Sequence, residues 1–297
     1  MKKILFKGCG TAVCTPFDST GINMQEFKKL IEFQISNNID SIIVCGTTGE
    51  SSTLNDKEKT QLIKSAVKIS NGKIPIIVGT GSNDTKQTII NSKHAQNLGA
   101  DGLLIVTPYY NKCTQDGLIN HYNEIAKNTS LPIIIYNVPT RTCVNIEPKT
   151  CFKLSKIENI VGIKESSGNI SQITQIASLC GDNLPIYSGN DDQILPILSI
   201  GGIGVISVVS NILPKYTYDL VNYFFDGNIT KSRKMQLKLL PLANSLFLEV
   251  NPIPIKSALN DIGFNFGEPR LPLTNISNKN YRLLKKEMSK FSELNLF

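Results

Sequence analysis

Short apolar segments recur along the first 209 residues of the chain, and stretches with the 3.6-residue periodicity of amphipathic helices separate them. The apolar segments are continuous instead of alternating, which is typical of parallel strands that are buried on both faces. Each intervening stretch is long enough for a helix that crosses back over the sheet. The eight candidate strands cover residues 11–15, 41–45, 75–79, 102–107, 132–136, 160–164, 185–188 and 204–209.

The repeated strand–helix order predicts an α/β fold, and eight units favour a (β/α)8 TIM barrel. An open, doubly wound sheet is the alternative. Beyond residue 209 only helical periodicity continues, with prolines at 252, 254, 269 and 272 but no flexible linker. We therefore predict a catalytic barrel over residues 1–225 and a C-terminal helical region over residues 226–297 that packs on the barrel.

The composition is that of a folded protein without a polyanionic or membrane partner. Of the 297 residues, 41% are hydrophobic and 19% are charged, which is incompatible with a disordered or fibrous chain. The net charge of +7 comes from scattered lysines, so we expect no nucleic-acid partner. The chain reaches Gly8 without the apolar region of a signal peptide, and no later segment has the roughly 18 apolar residues of a membrane span. We expect a cytoplasmic protein.

Cysteine and histidine usage argues against disulfide and metal chemistry. The seven cysteines are odd in number and contain no pair with C-x-x-C spacing. The two histidines, His94 and His121, both lie in segments that we predict to be exposed helix. We therefore expect no metal site and no cofactor, and an organic mechanism.

Polar residues follow five of the predicted strands. Barrel enzymes carry their active sites at the C-terminal ends of the strands, so these residues are the candidates for chemistry. The segments are GTTGES at 46–51, TPYYN at 107–111, YNVPTR at 136–141, KESSG at 164–168 and SGN at 188–190. Their joint occurrence at strand ends predicts one shared site.

Lys164 directly follows the apolar segment 160–163, which would place its ammonium group in the mouth of the barrel. A free lysine has a pKa of about 10.4, so a nucleophilic lysine needs a lowered pKa. Burial and a nearby cation such as Arg141 both act in that direction. An imine formed with a ketone withdraws electrons and makes the adjacent methyl group acidic, as a metal would. The alternative is a lysine whose stem is buried and whose ammonium reaches water.

The neighbouring strand ends supply the other groups that imine chemistry requires. Tyr136 could carry protons during formation of the imine, and Thr48 and Tyr110 could extend a chain of hydroxyls to it. Gly189 and the glycines of the GTTGES segment leave backbone N–H groups free to approach a carboxylate. Arg141 offers a planar fork for a second carboxylate. Taken singly, each of these residues could instead have a packing or surface role.

Four motifs, GTTGES, TPYYN, YNVPxRT at 136–142 and GIKESSG at 162–168, occur in order along the chain. On these motifs the chain resembles the 4-hydroxy-tetrahydrodipicolinate synthase (dihydrodipicolinate synthase) family of Schiff-base-forming pyruvate aldolases. The resemblance runs from about residue 8 into the helical tail. It implies a homotetrameric (β/α)8 barrel that condenses pyruvate with L-aspartate 4-semialdehyde on the route to diaminopimelate and lysine.

The resemblance also implies catalytic roles for individual residues. Lys164 matches the lysine that forms the Schiff base, and Tyr136 matches the general acid and base. Thr47 and Thr48 match the pair that contacts pyruvate and relays protons. Tyr110 matches a relay tyrosine that a neighbouring subunit contributes.

Substrate-binding roles follow in the same way. Arg141 matches the arginine that receives the carboxylate of the semialdehyde, and Gly189 and Ile206 match main-chain contacts near pyruvate. The chain departs from the family pattern at Cys143, where glycine is usual, and at Cys113, near a common proline. Both departures are expected to reshape loops without changing the chemistry.

Regulated members of the family bind lysine in a pocket at a subunit interface. Ser51, Asn83 and Tyr109 match that pocket, but Lys59 stands at the position of a histidine and Gln87 at that of a glutamate. A bound lysine would meet a like charge and would lose a carboxylate partner. We therefore expect weak or absent inhibition by L-lysine.

Two alternative functions remain open on the sequence. The first is another Schiff-base aldolase, such as N-acetylneuraminate lyase or a keto-deoxy-sugar-acid aldolase, whose members generally lack the context of Arg141. The second is a non-catalytic barrel that binds keto acids, against which the intact Lys164, Tyr136 and Thr48 argue. The aldehyde substrate therefore depends on Arg141 and the resemblance.

Overall fold

Eight parallel strands close into a barrel in a computed structural model that describes residues 2–292. Each strand pairs with its neighbours in the sequence, and the last strand closes on the first, with Gly8 opposite Gly204. The strands are β1 (Gly8–Ala12), β2 (Ser41–Val44), β3 (Ile76–Gly79), β4 (Gly102–Val106), β5 (Ile133–Asn137), β6 (Ile160–Glu165), β7 (Ile186–Ser188) and β8 (Gly204–Ser207). The predicted (β/α)8 barrel is confirmed, and the open doubly wound sheet is wrong because β1 and β8 pair.

The first strand lies three residues upstream of its predicted position, at 8–12 instead of 11–15. Its sequence, GCGTA, carries few apolar side chains, so an apolar run does not mark it. The glycines are needed where the barrel closes. A Cβ on Gly204 would lie 2.1 Å from the carbonyl oxygen of Gly8, and one on Gly8 would lie 2.0 Å from a carboxylate oxygen of Asp40.

Helices surround the barrel and continue beyond it, and none in residues 2–292 is long and apolar enough to cross a membrane. Some carry the local signals expected of them; Asn55 and Glu58, for example, form a reciprocal capping box at the start of the second helix. The helices are α1 (Met24–Ser36), α2 (Asp56–Ser70), α3 (Thr85–Asn97), α4 (Gln115–Lys127), α5 (Pro139–Thr142), α6 (Pro148–Leu154), α7 (Ile170–Cys180), α8 (Ile194–Ser199), α9 (Pro214–Phe225), α10 (Ile229–Ser245), α11 (Ile253–Asp261) and α12 (Asn278–Ser292).

The C-terminal helices pack on the barrel and on each other. Helix α9 contacts β1, and α10 packs on both α9 and α8. Helix α12 in turn packs on α10 and α11. The division into two regions at residue 225 stays a prediction. Contacts between α10 and the last barrel helices join the two predicted regions closely.

The interior of the barrel is filled at one end and polar at the other. Large apolar side chains from alternate positions of the strands form an inner cluster, as is typical of this fold. Phe6, just before β1, stacks on Tyr187 at a centroid distance of 4.5 Å and accepts a hydrogen bond from its hydroxyl through its carbonyl. This pair closes the N-terminal end. The polar strand ends are left at the opposite end, where the candidate residues lie.

The two histidines differ in their environment. His94 is exposed, as predicted, but the prediction of exposure for His121 is wrong, since this residue is only 6% exposed. The ring of His121 lies 2.9 Å from the hydroxyl of Thr85, and burial lowers its pKa to about 4. A neutral histidine under the helix layer therefore has a packing role.

A buried ion pair joins the loop after β2 to the C-terminal helices. Glu50 and Lys256, on α11, lie 2.9 Å apart, and both side chains are 1% exposed. The second carboxylate oxygen of Glu50 accepts from the backbone N–H of Arg270, and Lys256 also donates to the carbonyl of Glu268. The ammonium of Lys256 lies 4.2 Å from the centre of the Phe17 ring. Every strong polar atom of the pair therefore has a partner.

Replacement of Lys256 by methionine should lower the free energy of unfolding by about 3–5 kcal/mol, because it leaves the Glu50 carboxylate buried without a counter-ion. Equilibrium unfolding in guanidinium chloride measures this change. The double variant Glu50→Gln/Lys256→Met removes both charges and should regain much of the loss.

A matched control is Lys285→Met, which removes a solvent-exposed ion pair to Asp261. Exposed pairs contribute at most about 1 kcal/mol, so this variant should stay close to the wild type. If Lys256→Met proves no more destabilising than Lys285→Met, the buried pair does not hold the loop and the helices together.

Candidate active site

A cavity of about 1330 Å³ opens at the C-terminal ends of the strands. Six of the predicted site residues line it: Thr47, Thr48, Tyr136, Arg141, Lys164 and Gly189. The strand ends that the sequence singled out therefore meet in one place, as the closed barrel requires. The remaining two predicted residues, Tyr110 and Ile206, do not line this cavity.

Lys164 and Tyr136 form the centre of the site. They are paired in register on the neighbouring strands β6 and β5, and both are nearly buried, at 5% and 7% exposure. The Lys164 ammonium lies 4.3 Å from the centre of the Tyr136 ring. No ion pair within residues 2–292 includes Lys164. A buried amine against an aromatic face and without a carboxylate partner is suited to nucleophilic attack on a carbonyl.

Gly189 brings backbone close to Lys164. Its N–H donates to the carbonyl of Glu165 at 2.8 Å, which fixes the end of β7 against the end of β6. The prediction that this N–H is free for a carboxylate is therefore wrong, because the pairing of the strand ends uses it. A Cβ at this position would lie 1.8 Å from the Ser166 hydroxyl oxygen and 3.0 Å from Cε of Lys164. A Cβ here would force the Ser166 hydroxyl to move and would crowd Lys164, so glycine keeps this part of the site open.

The segment 46–51 forms a tight turn after β2. Backbone N–H groups of Gly49 and Glu50 donate to the carbonyls of Gly46 and Thr47, and Glu50 has a left-handed φ of 55°. Thr48 is buried, and its hydroxyl accepts a 3.0 Å hydrogen bond from the side-chain amide of Asn251. Thr47 is half-buried beside it. The turn presents both hydroxyl groups at the barrel mouth.

Arg141 lies on the short helix α5 at the exposed rim of the cavity. Its guanidinium donates to the backbone carbonyl of Asn251 at 3.1 Å. Within residues 2–292 it has no carboxylate partner. Its remaining donors are therefore available to an anionic ligand in the cavity.

Two predicted residues lie apart from this group. Tyr110 is 91% exposed with a left-handed φ of 70°, so this chain does not itself join it to Tyr136 and Thr47 in a hydroxyl chain. Ile206 is fully buried on β8, where it pairs with Gly10 of β1. Its side chain belongs to the inner apolar cluster.

Two buried carboxyl groups, Asp191 and Glu165, lie next to the site residues in the sequence. Asp191 accepts from the N–H groups of Val208 and Val209 at 3.0 and 2.9 Å, and Glu165 accepts from the side chain of Asn137. Burial raises the pKa of both carboxyl groups, and their hydrogen bonds offset part of that rise. Neither residue was predicted from the sequence, because an acid inside a motif gives no sign of its burial.

Asn251 is a functional candidate that was not predicted from the sequence. It is 5% exposed, lines the cavity and contacts both Thr48 and Arg141. The segment NPIPIK at 251–256 lies in the helical tail that the resemblance covers, but nothing local marks its asparagine as part of a site. The contacts depend on a fold that brings residues 48, 141 and 251 together.

The residues compared with a lysine-binding pocket lie around the same cavity. Ser51, Lys59, Gln87 and Tyr109 line it, whereas Asn83 does not. The backbone carbonyl of Asn83 instead accepts from the side chain of Asn111 at 2.9 Å. The Lys59 ammonium therefore belongs to one extension of the site cavity.

These features define a barrel lyase of the aldolase type. A lysine lies in the mouth of a (β/α)8 barrel, beside a tyrosine, two threonine hydroxyls and an arginine without a carboxylate partner in residues 2–292. Residues 5–291 match the sequence model of the Dihydrodipicolinate synthetase family, and the chain belongs to this family.

Individual relatives agree with that assignment. The chain is 55% identical over 285 residues to the 4-hydroxy-tetrahydrodipicolinate synthase of Caldicellulosiruptor bescii, with 96% of each chain covered. The crystal structure of dihydrodipicolinate synthase from Thermotoga maritima superposes with a TM-score of 0.96 at 45% identity, covering 99% of this chain and 100% of that one. A structure described as the first monomeric dihydrodipicolinate synthase variant has a TM-score of 0.95 at 44% identity, covering 99% and 98%.

Proposed function

We propose that this chain condenses pyruvate with L-aspartate 4-semialdehyde to 4-hydroxy-tetrahydrodipicolinate, in the biosynthesis of diaminopimelate and lysine. The observation that carries the proposal is the buried Lys164 ammonium, 4.3 Å from the Tyr136 ring and without an acidic partner in residues 2–292. Arg141 at the rim of the same cavity supports a second, anionic substrate. The names of the relatives support the same reaction.

In the proposed mechanism the neutral amine of Lys164 attacks C2 of pyruvate, and the resulting carbinolamine loses water to give an imine. The imine draws electrons from the methyl group, which releases a proton and leaves an enamine. The enamine carbon attacks the aldehyde carbon of the semialdehyde and forms the new C–C bond. The amino group of the semialdehyde then attacks the imine carbon, which closes the ring and releases Lys164.

Tyr136 is proposed to move protons during these steps, with Thr47 and Thr48 binding the pyruvate carboxylate and extending the relay. The main chain near Gly189 and Ile206 is proposed to contact pyruvate, and Arg141 the carboxylate of the semialdehyde. Because the imine itself withdraws electrons, the proposed reaction needs no metal or cofactor.

We further propose that the protein acts in the cytoplasm as a homotetramer, in which Tyr110 of one subunit completes the relay of its neighbour. The 91% exposure of Tyr110 supports this, since a relay tyrosine that serves another subunit must project from its own. The structural similarity to a monomeric variant means that the assembly has to be measured; sedimentation velocity would do so.

The first experiment measures pyruvate consumption by the purified protein with and without L-aspartate 4-semialdehyde. Consumption that depends on the semialdehyde supports the proposed function. N-acetylneuraminate cleavage is the control for the other aldolase. If the protein cleaves the sugar acid and ignores the semialdehyde, Lys164 keeps its role but the substrate is reassigned. A protein that binds pyruvate without trapping or turnover would be the non-catalytic barrel.

Replacement of Lys164 by alanine should abolish turnover and prevent borohydride from fixing pyruvate to the protein, because the nucleophile is gone. Intact-mass spectrometry after borohydride treatment detects the adduct. Lys164→Arg keeps the charge but cannot form the imine, and it should also remain unlabelled. An active or labelled Lys164→Ala protein would disprove the mechanism.

Replacement of Arg141 by alanine should raise the KM for the semialdehyde by about 10- to 100-fold, since a hydrogen bond to a charged group contributes about 1.5–3 kcal/mol. Borohydride labelling by pyruvate should be unchanged. Arg141→Lys keeps the charge but loses the planar fork, so its KM for the semialdehyde should lie between those of the wild type and Arg141→Ala. If labelling by pyruvate collapses instead, the role given to Arg141 is wrong.

Inhibition by L-lysine should be weak or absent, because the ammonium of Lys59 repels that of the ligand and Gln87 offers no charge. Steady-state assays with L-lysine measure this. The double variant Lys59→His/Gln87→Glu should become more sensitive than the wild type. Strong inhibition of the wild type at micromolar L-lysine would contradict the prediction.

A further inference from the structure

Asn251 connects the two halves of the candidate site. Its side-chain amide donates to the hydroxyl oxygen of Thr48 at 3.0 Å, and its backbone carbonyl accepts from the Arg141 guanidinium at 3.1 Å. With 5% exposure, the residue lies between the turn after β2 and helix α5. One residue of the C-terminal region thus contacts groups from two different barrel loops.

The direction of the hydrogen bond to Thr48 decides what that hydroxyl can do. A hydroxyl group has one proton and two acceptor lone pairs. Because the Asn251 amide donates, it occupies a lone pair and leaves the Thr48 proton free. Within the described residues the Thr48 hydroxyl donates to no group, and the buried Oδ1 of Asn251 accepts from none, so the Thr48 proton is available to an oxygen in the cavity.

The position of Asn251 is fixed by its place in the chain, close to helix α11. It lies two residues before helix α11, whose Lys256 forms the buried ion pair with Glu50, two residues beyond Thr48. The start of α11 therefore contacts the turn after β2 at two points. A side chain fixed in this way loses little conformational entropy when it orients a neighbour.

We propose that Asn251 is a positioning residue: its side chain holds the Thr48 hydroxyl as a donor toward the pyruvate carboxylate, and its carbonyl orients Arg141 toward the second substrate. This inference rests on the proposed function. It predicts that replacing the side chain weakens the binding of pyruvate more than that of the semialdehyde. The contact to Thr48 is altered, whereas the backbone carbonyl that Arg141 uses is retained.

The decisive substitution is Asn251→Asp, which has the same shape but accepts hydrogen bonds only when ionised. The carboxylate would accept a hydrogen bond from the Thr48 hydroxyl, which could then no longer donate to pyruvate. It would also add a negative charge near the pyruvate carboxylate. The pyruvate concentration for half-maximal borohydride labelling should rise at least about tenfold. The reason is that the hydrogen bond from Thr48 to a charged carboxylate is strong and competes with the one to pyruvate. Asn251→Ala removes the contact without reversing it, and the rise should be about 3- to 10-fold.

Three readouts distinguish positioning from a general structural role. The KM for the semialdehyde should stay within about twofold of the wild type in Asn251→Ala, because the backbone carbonyl remains and no charge is added beside Arg141. Thermal unfolding should rank the variants differently from their pyruvate affinities. In a double-mutant cycle with Thr48→Val, the loss from Asn251→Ala should largely disappear, because Asn251 acts through Thr48.

Equal effects of Asn251→Asp and Asn251→Ala on pyruvate labelling would overturn the inference. A parallel rise of the semialdehyde KM in Asn251→Ala, or additive losses in the cycle, would overturn it as well. These outcomes concern variants of a wild-type protein that labels with pyruvate and uses the semialdehyde. A wild-type protein that does neither would overturn the proposed function itself, and the inference with it.

Discussion

The buried ion pair between Glu50 and Lys256 is the constraint on which the mouth of the barrel depends. Two charges at 1% exposure are costly unless each is fully paired, and here the carboxylate has a lysine and a backbone N–H while the ammonium has a carboxylate and a carbonyl. Loss of either charge would leave the other buried without a counter-ion. The turn that carries Thr47 and Thr48 is therefore fixed by a helix more than 200 residues away in the sequence.

The contrast between two buried lysines shows how the same side chain can have a structural or a chemical role. Lys256 is satisfied by a carboxylate, a carbonyl and the face of Phe17. Lys164, at 5% exposure, has the Tyr136 ring beside it and no acidic partner within residues 2–292. Because no ion pair in residues 2–292 holds it, the Lys164 amine can reach a carbonyl group in the cavity that it lines. The environment, not the residue type, separates the two.

Much of the fold could be predicted because its signals are local. Continuous apolar runs marked seven strands nearly at their observed positions, but β1 was misplaced since its glycines are selected for close backbone contact and not for hydrophobicity. The burial of His121 was missed although a local signal for it exists. His121 lies at helical spacing from the apolar residues Leu118 and Ile125, on the buried face of α4.

The candidate site could be predicted as far as the topology determines it. Closing eight parallel strands brings their C-terminal ends together, so Lys164, Tyr136 and Gly189 meet whatever the details of packing. Tyr110 shows the limit, because its strand end reaches the mouth while the residue itself projects into solvent. Asn251 shows the opposite limit, since its contacts exist only after the C-terminal helices have docked.

The C-terminal region is therefore part of the site and more than an addition to the barrel wall. The barrel supplies the nucleophile and the groups around it from strand ends that its own sheet already fixes. The turn after β2 and helix α5 lie beyond the sheet, and each is contacted by the segment that leads into α11. Loops at the mouth of a barrel vary more readily than its strands. The segment that leads into α11 contacts two of these loops and gives them the order that the sheet alone does not provide.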